Sequence, residues 1–314
     1  MEFIGIDVSK DTFHVAWNEV AKVSVFANNK EGIKSFENSL HHRQFKKDST
    51  KIGLESTGIY HLLICVLLTK HEWNVNVINP YITSKAIKAS LRHVKTDAKD
   101  ARTIRKVLIE GHGYPFTDTS EILELKAIFR EYNALKKLIV RCKHHIHIQK
   151  IYQSTTKENT ESSFPQIYAY LDDNLKQMKK RLESTQSNTQ ILLQSIPGIG
   201  PICSAALIAY IGNINRFDSP QKLVAYIGLD CRVHQSGTSI NGKGFLTKRG
   251  NPILRSFLFN AAYVARQYNP DLKRYFEKKT GEGKHYYVAV CAVERKLVHI
   301  IYAVWKRGTP FVKK

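Results

Sequence analysis

A chain of 314 residues with 43% hydrophobic and 10% aromatic side chains is long enough for two modest domains and does not have the composition of a disordered protein. Its 48 Lys and Arg against 27 Asp and Glu give a formal net charge of +21. That excess favours a polyanionic partner, because neutralised phosphates release their bound counterions; a ribosome-associated protein and a merely basic surface are the alternatives.

Cysteine spacing and hydropathy exclude several other classes. The five cysteines form no C-x-x-C pair, which argues against a zinc ribbon and against a disulfide framework. No apolar run approaches the roughly 18 residues of a membrane-spanning helix, and the first residues have the pattern of a strand rather than of a signal peptide. We therefore expect a cytoplasmic protein with no membrane partner.

The first 118 residues have the pattern of an α/β domain. Apolar or alternating stretches predict three consecutive strands, and then helices alternate with two further strands. This order fits a ribonuclease-H-like sheet flanked by helices. The predicted strands are 3–8, 12–17, 20–26, 51–55 and 73–78, and the predicted helices include 30–42 and 61–70.

Four carboxylates stand at the ends of these elements. Asp7 and Glu55 each come at the end of a short apolar strand, while Asp97 and Asp100 open a helix at i, i+3 and share one face. If the two strands are neighbours, the four acids can converge, and hard oxygen ligands of this kind suit Mg²⁺, with Mn²⁺ as the alternative ion. Taken singly, Asp97 could simply cap the helix and Asp100 could complement its dipole.

The central region predicts a helical arm over residues 119–190. A long helix at 121–154 and a second at 167–194 are separated by a Ser/Thr/Asn-rich break. Two amphipathic helices joined in this way form a helical hairpin or coiled coil, which could serve dimerisation, nucleic-acid contact or both. The apolar residues that recur at roughly helical intervals along the first helix are Leu123, Ile128, Leu135, Leu138 and Ile148.

Residues 191–314 predict a mainly α-helical domain that begins with a glycine-rich turn. Ile196-Pro197-Gly198-Ile199-Gly200 resembles the hairpin of helix-hairpin-helix proteins, in which backbone amides meet a DNA phosphate without reading sequence. Gly198 and Gly200 are then candidate DNA contacts. A tight Gly/Pro turn without any ligand is the equal alternative.

A second glycine-rich segment is cationic. Between Asp230 and Asp271 the chain has six Lys or Arg and no acid, which suits approach to a phosphate backbone. Ser236 could attack a phosphodiester there, although residue types alone leave Thr238, Ser239 and Thr247 equally eligible. The cations of this segment that are candidates for phosphate contact are Lys243, Lys248, Arg249 and Arg255.

These motifs together resemble one family, the DEDD transposases of the insertion-sequence 110 group, which includes the Piv-type DNA invertases. The resemblance extends over essentially the whole chain and preserves the family's order of motifs; Cys231 departs from it, since relatives often have proline there. The motifs that carry it are Gly5-Ile6-Asp7-Val8-Ser9-Lys10, Glu55-Ser56-Thr57-Gly58-Ile59-Tyr60, Asn79-Pro80, Lys95-Thr96-Asp97-Ala98-Lys99-Asp100-Ala101, Ile196-Pro197-Gly198-Ile199-Gly200 and Gln235-Ser236-Gly237 through Arg255.

The resemblance implies more than the residues do by themselves. It implies a RuvC-like domain at 1–118, a coiled-coil insert at 119–190 and a transposase domain at 191–314. It carries a Mg²⁺-binding tetrad onto Asp7, Glu55, Asp97 and Asp100, and a nucleophile that forms a 5′-phosphoserine link to DNA onto Ser236. It also implies guidance by a bridge RNA, dimers that pair into tetramers, and a bacterial, nucleoid-associated location.

The implied function is cleavage and exchange of DNA strands by an insertion-sequence transposase. A site-specific invertase of the same family would differ in the arrangement of its DNA substrate. A RuvC-like, structure-selective nuclease would use the acids and water but no serine. A non-catalytic nucleic-acid-binding protein would need neither the acids nor the serine.

Overall fold

A computed structural model of the protein describes all residues of the chain except 57, 90–96, 156–161, 185–186, 233–234, 237–239, 242–244 and 313–314. Side chains are described for all the other residues except 88–89, 97–98, 232, 235–236, 240–241 and 245. The chain folds as two compact units, Met1–Thr117 and Asp118–Lys314. Over these described residues, no helix is long and apolar enough to cross a membrane.

The first unit contains a mixed six-stranded sheet. Its strands lie in the order β3-β2-β1-β4-β5-β6; β1, β4 and β5 run parallel, and the remaining pairs are antiparallel. The ribonuclease-H-like α/β prediction is confirmed in this form, although the third strand begins only at Ser24. The strands are β1 (Glu2–Val8), β2 (Thr12–Ala16), β3 (Ser24–Ala27), β4 (Thr50–Glu55), β5 (Asn74–Ile78) and β6 (Tyr114–Pro115).

Helices cover both faces of this sheet. On one face Phe36 of the first helix packs edge-on against Phe13, with ring centroids 5.7 Å apart, beside the buried Ile4 and Ile6. The fourth helix crosses the opposite face. The helices are α1 (Lys30–His42), α2 (Leu62–Lys70), α3 (Pro80–Ala89) and α4 (Asp97–Ile109), and a 3₁₀ turn spans Lys47–Ser49.

The second unit is mainly helical, as the sequence predicts. Its core is formed by several helices that bury residues such as Leu207, Leu258 and Leu297. The helices are α5 (Ser120–Thr155), α6 (Phe164–Ser184), α7 (Asn188–Gln194), α8 (Pro201–Ile211), α9 (Pro220–Ile227), α10 (Pro252–Tyr268), α11 (Pro270–Gly281) and α12 (Tyr286–Arg307). Short strands are β7 (Cys231–Arg232), β8 (Gln235–Ser236), β9 (Ile240–Asn241) and β10 (Phe245–Leu246).

The helical arm consists of α5 packed against α6. With 36 residues, α5 is about 54 Å long at 1.5 Å per residue. Its buried stripe contains Phe129, Tyr132, Ile139 and Cys142. Leu138, one of the apolar residues at helical intervals, is 43% exposed, and the 3.6-residue repeat buries Ile139 instead.

The prediction of one continuous helix over 167–194 is also wrong. The first part ends at Ser184, and a separate helix begins at Asn188. Ser187 caps this new helix: its hydroxyl accepts from the backbone N–H of Gln190, and the Gln190 side chain accepts from the backbone N–H of Ser187. This capping box satisfies two helix-terminal donors, so Ser-x-x-Gln starts a helix where apolar periodicity alone suggests continuation.

Candidate active site

Asp7 and Glu55 lie side by side at one edge of the sheet. Strands β1 and β4 are parallel neighbours, and their last register pair is Ile6 with Leu54. The next position along both strands is Asp7 on one and Glu55 on the other. Adjacent strands are about 4.8 Å apart, and residues in register point to the same face. Both carboxylates therefore stand on the face that also carries Gly5 and Gly53.

Helix α4 crosses that same face because two glycines let it approach. A Cβ on Gly5 would lie 2.2 Å from the Ala101 carbonyl oxygen, and one on Gly53 would lie 2.9 Å from the Leu108 side chain. The Arg105 Nε also donates to the Phe3 carbonyl at 2.8 Å. The helix thus runs antiparallel to β1.

The N-terminal turn of α4 consequently lies at the level of Asp7. From Ala101 back to Asp97 a helix advances about 6 Å, and from Gly5 to Asp7 a strand advances about 6.6 Å. Asp100 is a half-buried residue of this turn, and Asp97 is the first residue of the helix. The side chain of Asp97 lies outside the described part of the chain, so the convergence of all four acids rests on backbone placement.

Thr83 orients the Glu55 carboxylate. Thr83 is buried in the first turn of α3, and its hydroxyl is placed to donate to Glu55 Oε2 at 2.5 Å or to the Pro80 carbonyl at 2.9 Å. The N–H of Ser56 donates to the Ile78 carbonyl at 3.1 Å, which continues the β4–β5 ladder past Glu55. The carboxylate is therefore contacted by α3, and the end of its strand is held by β5.

Asn28 ties together the loops that follow the two acid-bearing strands. Its Nδ2 donates to the Ser9 carbonyl at 2.9 Å and to the Tyr60 carbonyl at 3.1 Å. His14 lies directly opposite Asp7 in the antiparallel β1–β2 pair. The edge that carries Asp7 and Glu55 is thus fixed by neighbours from β2, α3 and the residue after β3.

This donor set fits a hard divalent cation. Carboxylate oxygens with adjacent hydroxyl and water are the ligands that Mg²⁺ and Mn²⁺ prefer. Among the side chains that the structure describes, no three His, Cys, Asp or Glu are grouped closely enough to hold a metal ion; Asp97 is not one of those side chains. Asp7, Glu55, Asp97 and Asp100 are the residues that could hold the ion.

Ser236 lies in the second unit, on β8 of the segment β7–β10, which is called the serine ribbon below. β7 pairs with β10, and β8 pairs with β9, where Ser236 is in register with Ile240. The connecting residues 233–234, 237–239 and 242–244 lie outside the described part of the chain. The side chain of Ser236, together with Thr238, Ser239 and Lys243, lies outside the described residues.

Two glycines close the base of this ribbon. A Cβ on Gly228 would lie 2.6 Å from the Gly250 amide nitrogen, and one on Gly250 would lie 2.3 Å from the Ile227 carbonyl oxygen. Arg255 Nη1 donates to the carbonyls of Ile227 at 3.0 Å and Gly250 at 2.7 Å, and Thr247 N–H donates to that of Asp230 at 2.9 Å. The two glycines and Arg255 therefore hold the base of the ribbon together. Lys248 and Arg249, which follow β10, are exposed.

The glycine-rich turn between α7 and α8 uses its two glycines differently. Gly198 has a φ of 93°, and a Cβ there would lie 2.5 Å from the Ala261 carbonyl oxygen, so the residue is glycine because α10 packs on it. Gly200 is the exposed N-cap residue of α8 and has open space around its Cα. Only Gly200 thus stands at an accessible helix N-terminus, where backbone amides can meet an anion.

Sequence reasoning predicted the four acids as site residues but did not point to the residues that contact Glu55 or the loops beside the acids. Thr83 and Asn28 are distant in sequence from the acids, so only the fold reveals their role. Gly5 and Gly53 carried a usable signal: each stands two residues before an acid, in Gly-Ile-Asp and Gly-Leu-Glu. A glycine on an otherwise apolar strand indicates close approach of another backbone.

Comparison with known proteins covers most of the chain. A family model described as a transposase, of the DEDD IS110 type, matches residues 4–149, and that of the transposase IS116/IS110/IS902 family matches residues 190–277. The pilin gene-inverting proteins of Moraxella bovis and Moraxella lacunata are each 28% identical over 342 aligned residues, which cover 99% of this chain and 98% of theirs.

A shorter match is to a transposase from another bacterium. The transposase for insertion sequence element IS1111A of Coxiella burnetii is 32% identical over 139 residues, 43% of this chain and 36% of that protein. The two family models together cover about three quarters of the chain and follow the order of its two compact units. The chain therefore belongs to the IS110/IS116/IS902 family of transposases and carries the family's DEDD domain at its N-terminus.

Proposed function

We propose that the protein cleaves and exchanges DNA strands for an insertion sequence, using a metal-binding tetrad of Asp7, Glu55, Asp97 and Asp100. The observation that carries this proposal is the β1–β4 register, which sets Asp7 beside Glu55 under the first turn of α4. When bound there, Mg²⁺ or Mn²⁺ would polarise the scissile phosphate and stabilise the charge that develops on it. Thr83 would keep the Glu55 carboxylate in its binding orientation.

The second part of the proposal is that Ser236 is the nucleophile. Its Oγ would attack phosphorus and form an O–P bond, while the bond from phosphorus to the 3′ oxygen breaks and the serine proton leaves with the 3′-hydroxyl. The product is a 5′-phosphoserine link, and attack by the 3′-hydroxyl of the partner strand reverses it. The backbone of Ser236 lies on β8, within a cationic segment whose base is held by Arg255, and this placement supports the role.

Nucleic-acid contacts would surround the serine ribbon. Lys243, Lys248, Arg249 and the Gly200 end of α8 are candidates for phosphate contact, with Gly198 and Arg255 contributing through the folding of their loops. The bound nucleic acids would be the element ends, the target and a bridge RNA that pairs with both. The net charge of +21 supports binding to more than one polyanionic strand.

Assembly would bring the required parts together. We divide the chain into a catalytic domain at 1–118, a helical arm at 119–190 and a serine domain at 191–314. The arm of α5 and α6 is long enough to form a coiled-coil contact between protomers, giving a dimer that pairs into a tetramer.

Site-specific inversion is the second candidate function, and a specific observation favours it. The full-length relatives in Moraxella are named pilin gene-inverting proteins. Inversion would use the same acids and serine on two sites in one DNA molecule. A plasmid with two inverted copies of the element end would yield an inverted segment, whereas transposition would yield insertion into a second plasmid.

A covalent adduct tests the chemistry. The protein is incubated with end-labelled DNA that contains the element ends, Mg²⁺ and the RNA that co-purifies with it, and then denatured. A labelled protein band that is absent in Ser236→Ala and Asp7→Asn, and present in Ser239→Ala, is the expected result. Cleaved DNA in Ser236→Ala without any adduct would instead assign a RuvC-like nuclease, and an unchanged result in Asp7→Asn would refute catalysis by the tetrad.

A further inference from the structure

A cationic cavity of about 680 Å³ lies between α11 and α12, away from the serine ribbon in sequence. Tyr275 and Lys279 come from one face of α11, four residues apart, and Arg295, Lys296 and His299 come from one face of α12. Lys284, from the loop between the two helices, completes the charged part of the lining. The volume is in the range of ligand-binding clefts.

The charges of this cavity are poorly balanced. Asp271 is the one acid of its lining, and that carboxylate is engaged by Arg274 in an ion pair. Lys279 is paired with Glu282 at 2.7 Å. Lys284, Arg295 and Lys296 enter no ion pair among the residues that the structure describes. Like charges gathered on one concave wall repel each other, and an anion in the cavity would relieve that repulsion.

The lining of the cavity also includes the aromatic ring of Tyr275. The Lys296 ammonium lies 4.0 Å from the centroid of the Tyr275 ring, and the Lys279 ammonium lies 5.6 Å from the same ring. Contacts of this kind restrict two flexible side chains and hold their charges at fixed positions. The cations are therefore partly preorganised, which reduces the entropy lost when an anion binds.

We propose that this α11–α12 cavity binds phosphate groups of a nucleic-acid strand and is a contact additional to those around the serine ribbon. The inference rests on the proposed function for the identity of the polyanion. A nucleic-acid strand, a free polyphosphate and a free nucleotide all carry phosphate groups, so each of them could supply the anion. A continuous strand is favoured because the whole chain is strongly cationic and because its family acts on DNA.

The test measures how binding depends on salt. Affinity for a labelled DNA duplex and for a single-stranded RNA is measured over a range of KCl concentrations, in EDTA and in the Asp7→Asn background, so that cleavage plays no part. Lys296→Gln and Arg295→Gln should each lower the slope of log affinity against log salt by about 0.9 for duplex DNA, or about 0.7 for a single strand. Lys296→Arg should keep the wild-type slope.

Lys222→Gln is the matched control. Lys222 is an exposed lysine on α9 of the same unit, paired with Asp218 and outside the cavity lining. Slopes for Lys296→Gln equal to those of Lys222→Gln would overturn the proposal. Binding of tripolyphosphate that depends on Lys296, with no change in either polynucleotide slope, would also overturn it and assign a small-anion site. Lowered slopes in Lys296→Gln and Arg295→Gln, together with no covalent adduct from the wild-type protein in Mg²⁺, would count against the proposed chemistry alone.

Discussion

At the scale of single residues, the candidate site depends on side chains that are not themselves proposed metal ligands. The Thr83 hydroxyl is hydrogen-bonded to the Glu55 carboxylate. The side-chain amide of Asn28 joins the loops that follow the strands of Asp7 and Glu55. Partners that orient the ligands of a metal commonly influence metal affinity almost as much as the ligands do. These positions are therefore the most informative places to alter the site without removing a carboxylate.

Thr83→Val should weaken metal-dependent cleavage without unfolding the protein. Valine has nearly the shape of threonine but donates no hydrogen bond to Glu55 Oε2. We expect about a 10- to 100-fold loss in apparent Mg²⁺ affinity or activity. Thr83→Ser keeps the hydroxyl donor and should retain most of the wild-type Mg²⁺ affinity and activity. The measurement is adduct yield against Mg²⁺ concentration; a Val variant with the wild-type Mg²⁺ dependence would show that Thr83 does not orient Glu55.

Glu294 makes the stability of the second unit depend on pH. It is buried in α12, and desolvation raises the pKa of its carboxyl from 4.5 to about 8, although Arg255 and Arg295 act to lower that pKa. Below pH 4.5 the carboxyl is neutral in both the folded and the unfolded state. As pH rises from 4.5 to 8 the unfolded state loses this proton first, so stability falls by up to about 1.4 kcal/mol per pH unit until the folded state also ionises.

Glu294→Gln should remove that pH dependence. The free energy of unfolding is measured by urea titration at pH 5 and at pH 8.5. Between these two pH values, the free energy of unfolding of the variant should rise relative to that of the wild type by roughly 2–4 kcal/mol. Glu277→Gln, an exposed position on α11, is the control and should leave the pH profile unchanged. A constant difference between Glu294→Gln and the wild type at all pH values would contradict the account.

At the scale of elements, helix α4 and the central strands form the framework on which the four proposed ligand acids stand. The α4 backbone rests directly on Gly5, and the Leu108 side chain of α4 packs on Gly53, so the first turn of the helix lies level with the strand ends. The serine ribbon follows the same rule, because Gly228 and Gly250 close its base. Close approach of another part of the chain explains Gly5, Gly53 and Gly250, and Gly228 combines such an approach with a φ of 82°.

Gly5→Ala should disturb this framework. The added methyl group would overlap the Ala101 carbonyl oxygen, which belongs to the backbone of α4 and cannot turn aside. We expect the free energy of unfolding to fall by at least about 1–3 kcal/mol, with a loss of cleavage as α4 shifts. Gly281→Ala meets no atom within 4 Å and should be nearly neutral. Equal stability of the two variants in urea titrations would contradict the proposed contact.

Periodicity in the sequence predicted the strands, most helices and the acids at the strand ends, because these features are local. It failed where a polar signal competes with periodicity, as at Ser187, whose capping box divides a predicted helix. It also failed where a residue acts across the fold. Thr83 is 28 positions from Glu55, and nothing in the sequence around Gly198 indicates that α10 packs against it.

At the scale of the whole molecule, the protein is a DNA phosphoryl-transfer enzyme of its transposase family, with its two proposed chemical functions in different compact units. The acids belong to Met1–Thr117 and Ser236 belongs to Asp118–Lys314. Neither unit alone would then complete a reaction, which makes assembly part of the proposed mechanism. The central claim is that acids far apart in sequence share one ion.

Replacement of Mg²⁺ by Fe²⁺ tests this claim most directly. With ascorbate and peroxide, bound Fe²⁺ generates hydroxyl radicals that cut the polypeptide beside the ion, and mass spectrometry identifies the cuts. The account predicts cuts clustered near residues 7, 55 and 97–100, competed by Mg²⁺ and lost in Asp7→Asn. Cuts at only one of these segments, or a pattern that Asp7→Asn leaves unchanged, would show that the acids do not form a common site.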